Sequence, residues 1–261
     1  MQIFRHELRR NRLSLMIWTA VIAYMLGICI VIYPEMAPQM NQMTDMFADM
    51  GSFTAAFGMD QLNFGEFLGY FAVECGNALG LGGALFASVA GISALAKEEK
   101  DGTAEFFLTH PVSRENVFFG KLISVIAQIL ILNVVVFAVC LGLTASIGEQ
   151  AQIGKTVLLF VAYTLLQLQI GLMTFGISAF LKNGSLAVGL GISFGTYFLN
   201  IVANLTQDAK VLKYITPFGY TDGGYIVKEQ TLEFKYLLAG MALAIVFGAV
   251  GFLKYRKKDI C

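Results

Sequence analysis

The stretch LISVIAQILILNVVVFAVCLGLTASI, Leu122–Ile147, decides the fold. It runs for 26 residues without a charged side chain. A helix crosses the roughly 30 Å hydrocarbon core of a bilayer with about 20 apolar residues, so this run is read as a membrane span. Five further runs share its character: Leu13–Tyr33, which Pro34 ends, then Phe67–Ala96, Thr156–Leu181, Leu186–Leu205 and Tyr236–Leu253. Phe67–Ala96 and Leu122–Ile147 exceed a minimal span, so they tilt or project into water. A helix keeps its backbone hydrogen bonds internal, as the bilayer interior requires. The fold class is therefore an all-α integral membrane protein with six transmembrane helices, and residues 1–261 read as a single transmembrane domain.

The composition of the 261 residues agrees: 57% hydrophobic, 14% charged, mean hydropathy +0.68. Soluble domains sit near about 45–50% apolar and about 25% charged. Disorder is excluded by the hydrophobicity. Net charge is zero, which argues against a nucleic-acid partner. The four cysteines, Cys29, Cys75, Cys140 and Cys261, are widely spaced. They lack the clustering of a zinc or disulfide framework and read as small buried apolar residues.

Lys and Arg set the orientation. Both termini and the even-numbered loops hold thirteen of them, the odd-numbered loops five. The termini are thus expected in the cytoplasm of a multi-pass plasma-membrane protein. The acidic residues sort the other way, seven inside, ten outside and one, Glu74, within a span. The neutral total therefore conceals a positive inner and a negative outer side. Residues 1–12 can form a short amphipathic helix with Phe4 and Leu8 on the face of Leu15. It either lies on the inner leaflet or is a plain basic flank.

The loop between the second and third spans, residues 97–121, is cytoplasmic on this orientation. Gly102 can end the extension of the second helix. Thr103 is a candidate cap for a new short helix, with Glu105 near its positive end. Pro111 stops that helix within about two turns. Ser113 caps the approach to the third span, with Glu115 in its first turn. The short helix would show Phe106, Phe107 and Leu108 at the membrane face, and three consecutive apolar residues need cover from the bilayer or a partner.

Glu98, Gly102, Thr103, Glu105, Leu108, Pro111, Val112, Ser113 and Arg114, followed by Gly120-Lys121, resemble the cytoplasmic loop of type-2 ATP-binding-cassette (ABC) transporter permeases. Ala104 replaces the usual leucine there, and Phe106-Phe107 replace smaller aliphatics. The tail Tyr255–Ile260 and the step Ile215–Tyr220 are also similar to that family. The resemblance implies a permease subunit of an exporter with six spans, working as a dimer with a second copy or a related permease. It implies a separate cytosolic ATPase that binds ATP and Mg, with no cofactor bound by this chain. Glu98, Gly102, Thr103, Glu105, Phe106, Phe107, Leu108, Pro111 and Arg114 would then form the coupling contact to that ATPase. The implied setting is a bacterial cell membrane.

Gly148–Thr156 looks like a phosphate loop, but five residues separate its glycines where the motif has four, and no strand precedes it. Glu74 is the one carboxylate within a span, and such groups are costly and often functional. It reads either as a translocation-path or dimer-axis group, or as an interfacial carboxylate reaching outward. Asn77, Gln128, Asn133, Gln167 and Asn200 are further in-span polar residues, either substrate contacts or interhelical hydrogen-bond partners. Gly76/Gly80 and Gly191/Gly195 each make the G-x-x-x-G spacing of close helix packing. Residues 206–233 form an external loop expected to hold short re-entrant helices at the outer interface. Met36, Met40, Met43, Met46 and Met50 recur at helical spacing and suit an interface-lying helix. Two other function classes stay open. A membrane enzyme lacks H-E-x-x-H, G-x-S-x-G and paired in-span acids here. An ion-driven secondary transporter would show repeated halves and central charges.

Overall fold

The computed structural model describes residues 2–49, 51, 54, 56, 57, 62–100, 113–181, 185–206 and 208–257, with backbone only at residues 2, 41–49 and 97–100. The described elements are α1 (Gln2–Asp49), α2 (Phe67–Cys75), a π-helical segment (Gly76–Gly82), α3 (Gly83–Lys100), α4 (Arg114–Ser146), α5 (Ile153–Ser178), α6 (Leu186–Leu205), α7 (Gly223–Glu229) and α8 (Phe234–Lys257). Two 3₁₀ turns, Asp208–Tyr214 and Pro217–Tyr220, precede α7. Six helical spans are long and apolar enough to cross a membrane, with α2, the π segment and α3 making one of them.

The boundaries depart from expectation at α1. Pro34 does not end it, and the helix continues through Pro34 and Pro38 to Asp49. A proline inside a helix costs about 3 kcal/mol, so other contacts must hold this turn together. Tyr33 is buried, stacks edge-on against Phe67 at 5.2 Å and donates a hydrogen bond to the Gly65 carbonyl at 2.9 Å. Ile30, one turn earlier, is fully buried. From Gln2 onward the N-terminal segment is continuous with α1. The methionine stretch to Asp49 is likewise the far end of the same helix.

The capping expectation at Ser113 holds. Ser113 Oγ accepts from the Asn116 N–H at 3.3 Å and starts α4, with Glu115 in the first turn. Gly148 has φ +77 just past the end of α4, so its conformational freedom serves a helix stop. Between α6 and α8 lie the expected short helices. Thr216 anchors them by donating to the Thr196 carbonyl of α6 at 2.7 Å and accepting from Phe218 N–H at 3.2 Å. Asp222 caps α7 by accepting from Tyr225 N–H at 3.1 Å.

The second and fourth spans form the centre. In each, 61% of the most apolar window is buried, against 17% in α6. The contact between them follows a seam of small residues at helical spacing on the second span: Gly76, Gly80, Gly83, Ala87 and Gly91. Facing them on α5 stand Tyr163, Gln167, Gly171 and Thr174. A Cβ at Gly83 or Gly91 would run into the Gln167 or the Thr174 side chain. Side chains at Gly76 and Gly80 would lie 3.3 and 3.1 Å from the Tyr163 phenol. The Gly191/Gly195 pair meets nothing within 4 Å among the described residues. A second backbone crossing joins α5 to α8, where Gly176 and Gly251 face each other and a Cβ at either would strike main-chain atoms.

Overpacking a backbone crossing cannot be relieved by rotating a side chain. Gly176→Leu should therefore lower the melting temperature of the detergent-solubilised protein by roughly 5–10 °C, while Gly191→Leu leaves it within about 2 °C. A melt followed by size-exclusion chromatography reads both.

Candidate functional site

The spans enclose two polar regions at opposite ends. The first lies where the loop 101–112 leaves α3 and enters α4. Lys121 of α4 is 1% exposed, a burial that an ammonium tolerates only when its charge is matched. Its Nζ donates to the Ala94 carbonyl of α3 at 2.6 Å and lies 3.7 Å from Glu7 Oε1 of α1. Glu7 is itself buried and also lies 3.7 Å from Arg10. One position before Lys121, the missing side chain of Gly120 makes room for Ile3, whose Cγ2 would sit 3.1 Å from a Cβ there. Gly120 and Lys121 thus bind the first two turns of α1 to the start of α4 and the end of α3.

Beside this clamp Phe118 packs against Phe175, Phe252 and Tyr255 at 5.0, 5.1 and 5.9 Å. Arg114 Nη1 donates to the Arg256 carbonyl of α8 at 3.3 Å. Arg256 lies 3.5 Å from Glu115, but both side chains are more than half exposed, so this pair contributes little. Of the coupling residues expected from the sequence, Arg114 is placed at the α4–α8 junction. Glu98 is described in backbone only, as part of α3, and Gly102, Thr103, Glu105, Phe106, Phe107, Leu108 and Pro111 lie outside the described residues.

The second region is a cavity of about 380 Å³ at the other end of the bundle. Glu74 of α2, Asn77 of the π segment and Asn200 of α6 line it. The short helices before α8 close it with Phe218, Thr221 and Asp222. Glu74 Oε2 accepts from the Cys29 thiol at 3.6 Å. The other three in-span polar residues stand elsewhere. Gln128 folds back on its own helix, donating to the Ser124 carbonyl at 3.1 Å. Asn133 donates to Gln167 Oε1 at 2.6 Å, and Gln167 donates to the Leu79 carbonyl at 3.0 Å. Leu79 belongs to the π-helical segment, and its carbonyl accepts from the Gly83 N–H as well as from Gln167. Gln167 thus adds an interhelical hydrogen bond between α5 and the second span.

Residues 1–260 match the family described as ABC-2 family transporter protein. The chain belongs to that family. It is also 26% identical over 201 residues to the uncharacterized protein YhcI of Bacillus subtilis (strain 168), a match covering 67% of this chain and 64% of that protein's length. As a member of the ABC-2 transporter family with six apolar spans, it is a multi-pass membrane protein.

In this ABC-2 permease, the sequence reading overlooked Glu7. It sits among four arginines, in a segment that reads as an amphipathic helix or a plain basic flank. The structure buries Glu7 at 4% exposure, because it points across to Lys121. A lone acid inside a basic segment was the available signal. The reading also missed Tyr163, Tyr197 and Asp222 as cavity residues, since nothing in local sequence links α5, α6 and the turn before α7.

Removing one member of a buried ion pair strands its partner's charge. Glu7→Gln should destabilise the permease by about 3–5 kcal/mol, and Glu7→Gln/Lys121→Met should recover much of that loss. Gln167→Leu should cost about 1–2 kcal/mol by removing the hydrogen bonds that join α5 to the Leu79 carbonyl and to Asn133. Reversible denaturation in mixed micelles measures all three.

Proposed function

We propose that this chain is the permease subunit of an exporter powered by a separate ATP-hydrolysing subunit. That subunit binds ATP and Mg and docks on the cytoplasmic loop 97–121, through Glu98, Gly102, Thr103, Glu105, Phe106, Phe107, Leu108, Pro111 and Arg114. A second permease, identical or related, completes the transporter. Substrate leaves the cytoplasm or the inner leaflet.

One observation carries this reading beyond the family itself. The two roots of the loop are locked together by Lys121, which reaches from α4 to the Ala94 carbonyl of α3 and to Glu7 of α1. A force on the loop is then shared by α1, α3 and α4 and is not lost in bending one helix. Arg114 adds α8 through the Arg256 carbonyl. The buried charge supports such a role: an apolar replacement of a buried ion pair is often as stable or more so, so its presence fits a need for orientation.

The test is recovery from the native membrane. A soluble protein with a Walker A motif should co-purify stoichiometrically with the chain. Glu105→Lys/Phe107→Ala should reduce that recovery at least about tenfold, the scale of losing one anchor residue at an interface. Glu7→Gln/Lys121→Met, which keeps much of the stability, should leave recovery intact and lower substrate-stimulated ATP hydrolysis. Transport by the isolated chain on a proton or sodium gradient would overturn the proposal.

A further inference from the structure

At the end of the bundle remote from Lys121, the 3₁₀ turn Asp208–Tyr214 packs beside the start of α8. It places an ammonium there with little to match its charge. Lys213 is 9% exposed and makes no ion pair with any described residue. Its contact is the Tyr236 ring of α8, whose centroid lies 5.9 Å from Nζ. One such contact at that distance offsets only part of the cost of burying a charge. The backbone fixes the residue in place, since a Cβ at Gly219 would strike the Lys213 carbonyl. The ammonium is not sealed in. The polar atoms closed from solvent without a partner among the described residues stand on Thr19, Gln169, Asn200 and Tyr220.

A second ammonium reaches the same ring. Lys235 Nζ lies 4.6 Å from the Tyr236 centroid, and Tyr214 stands edge-on to that ring at 4.8 Å. Lys235 is 3.6 Å from Glu233, but its side chain is 56% exposed, so this pair is weak. One carboxylate thus accompanies two ammonium groups. Beside them Val211, Tyr214, Ile215, Phe234 and Leu238 expose apolar surface, which water does not favour.

These features select among ligands. A cation would meet two like charges. A soluble anion would answer the charge and leave the apolar surface bare. A lipid with an anionic head group answers both, because its phosphate and its chains are joined at the depth where lysine heads and tyrosine rings settle in a membrane. We propose that Lys213 and Lys235 hold the phosphate of an anionic phospholipid against Tyr236, with its chains along Phe234 and Leu238.

The experiment reads lipid at this place in the full chain, reconstituted in phosphatidylcholine nanodiscs. Trp18→Phe/Phe234→Trp moves the single tryptophan to the site. Dibrominated phosphatidylglycerol and dibrominated phosphatidylcholine are the quenching probes, compared at equal mole fraction. Phosphatidylglycerol should be preferred about fivefold, the scale of one basic residue facing an anionic lipid. Lys213→Met and Lys235→Gln should each bring that preference close to one. Lys235 is exposed, so its variant keeps the test valid even if Lys213→Met does not fold. Glu233→Gln removes the competing carboxylate and should raise the preference severalfold. Lys228→Gln removes one exposed charge from the last turn of α7 and should leave it unchanged. Equal quenching by the two lipids would overturn the proposal, as would a preference unchanged in both lysine variants or lost equally in Lys228→Gln. Reversal of the quenching by excess glycerol 3-phosphate would also overturn it and assign the site to a soluble anion. No ATPase takes part, so the outcome is independent of the exporter reading.

Discussion

The fold depends on one contact, the close approach of the second span to α5. Inside a bilayer, burying apolar surface gives little advantage, because lipid is as apolar as leucine. Helices must instead gain from near contact and from interhelical hydrogen bonds. The second span provides the first with its seam of Gly76, Gly80, Gly83, Ala87 and Gly91, and α5 fills that seam with Tyr163, Gln167 and Thr174. Gln167 provides the second, tying the Leu79 carbonyl to Asn133 of α4. Three helices are fixed by one side chain at the centre, and the remaining spans pack around them.

That central span joins the two polar regions. It carries Glu74 on the cavity wall, passes through the π-helical segment and ends beyond Ala94, where Lys121 holds it. The segment between is clamped by Gln167 but carries three glycines, Gly76, Gly80 and Gly82, which lack side chains to resist a change of helical register. A helix that is firmly held at its root and loosely wound beside a cavity can transmit a push while allowing the wall to rearrange. The arrangement gives physical content to coupling between the loop and the cavity in the proposed exporter.

Much of this was legible in the chain. Each span announced itself through length and apolarity, because the bilayer imposes both on any crossing segment. Leu186–Leu205 matches α6 at both ends. Ser113 was readable as a cap because its hydrogen bond is local. Pro34 misled for the same reason: its local cost is real, but distant residues, Phe67 and Gly65, hold Tyr33 and with it the helix. The glycines of the second span were visible as a series, though which of them met a partner was not. Gly176 and Gly251, which touch backbone to backbone, carry no short-range pattern that sets them apart from Gly191 and Gly195.

The sequence by itself determined the number of spans and the cap at Ser113, since each follows from interactions within a few residues or with the solvent. Tertiary structure alone decided that Glu7 and Lys121 share a buried site, that Gln167 serves the π-helical segment rather than a cavity, and that Glu74, Asn200 and Asp222 line one space. Those outcomes depend on which faces of helices far apart in the chain meet, and helix faces in a bilayer, apolar on nearly every side, carry little in their composition to say which neighbour each will choose.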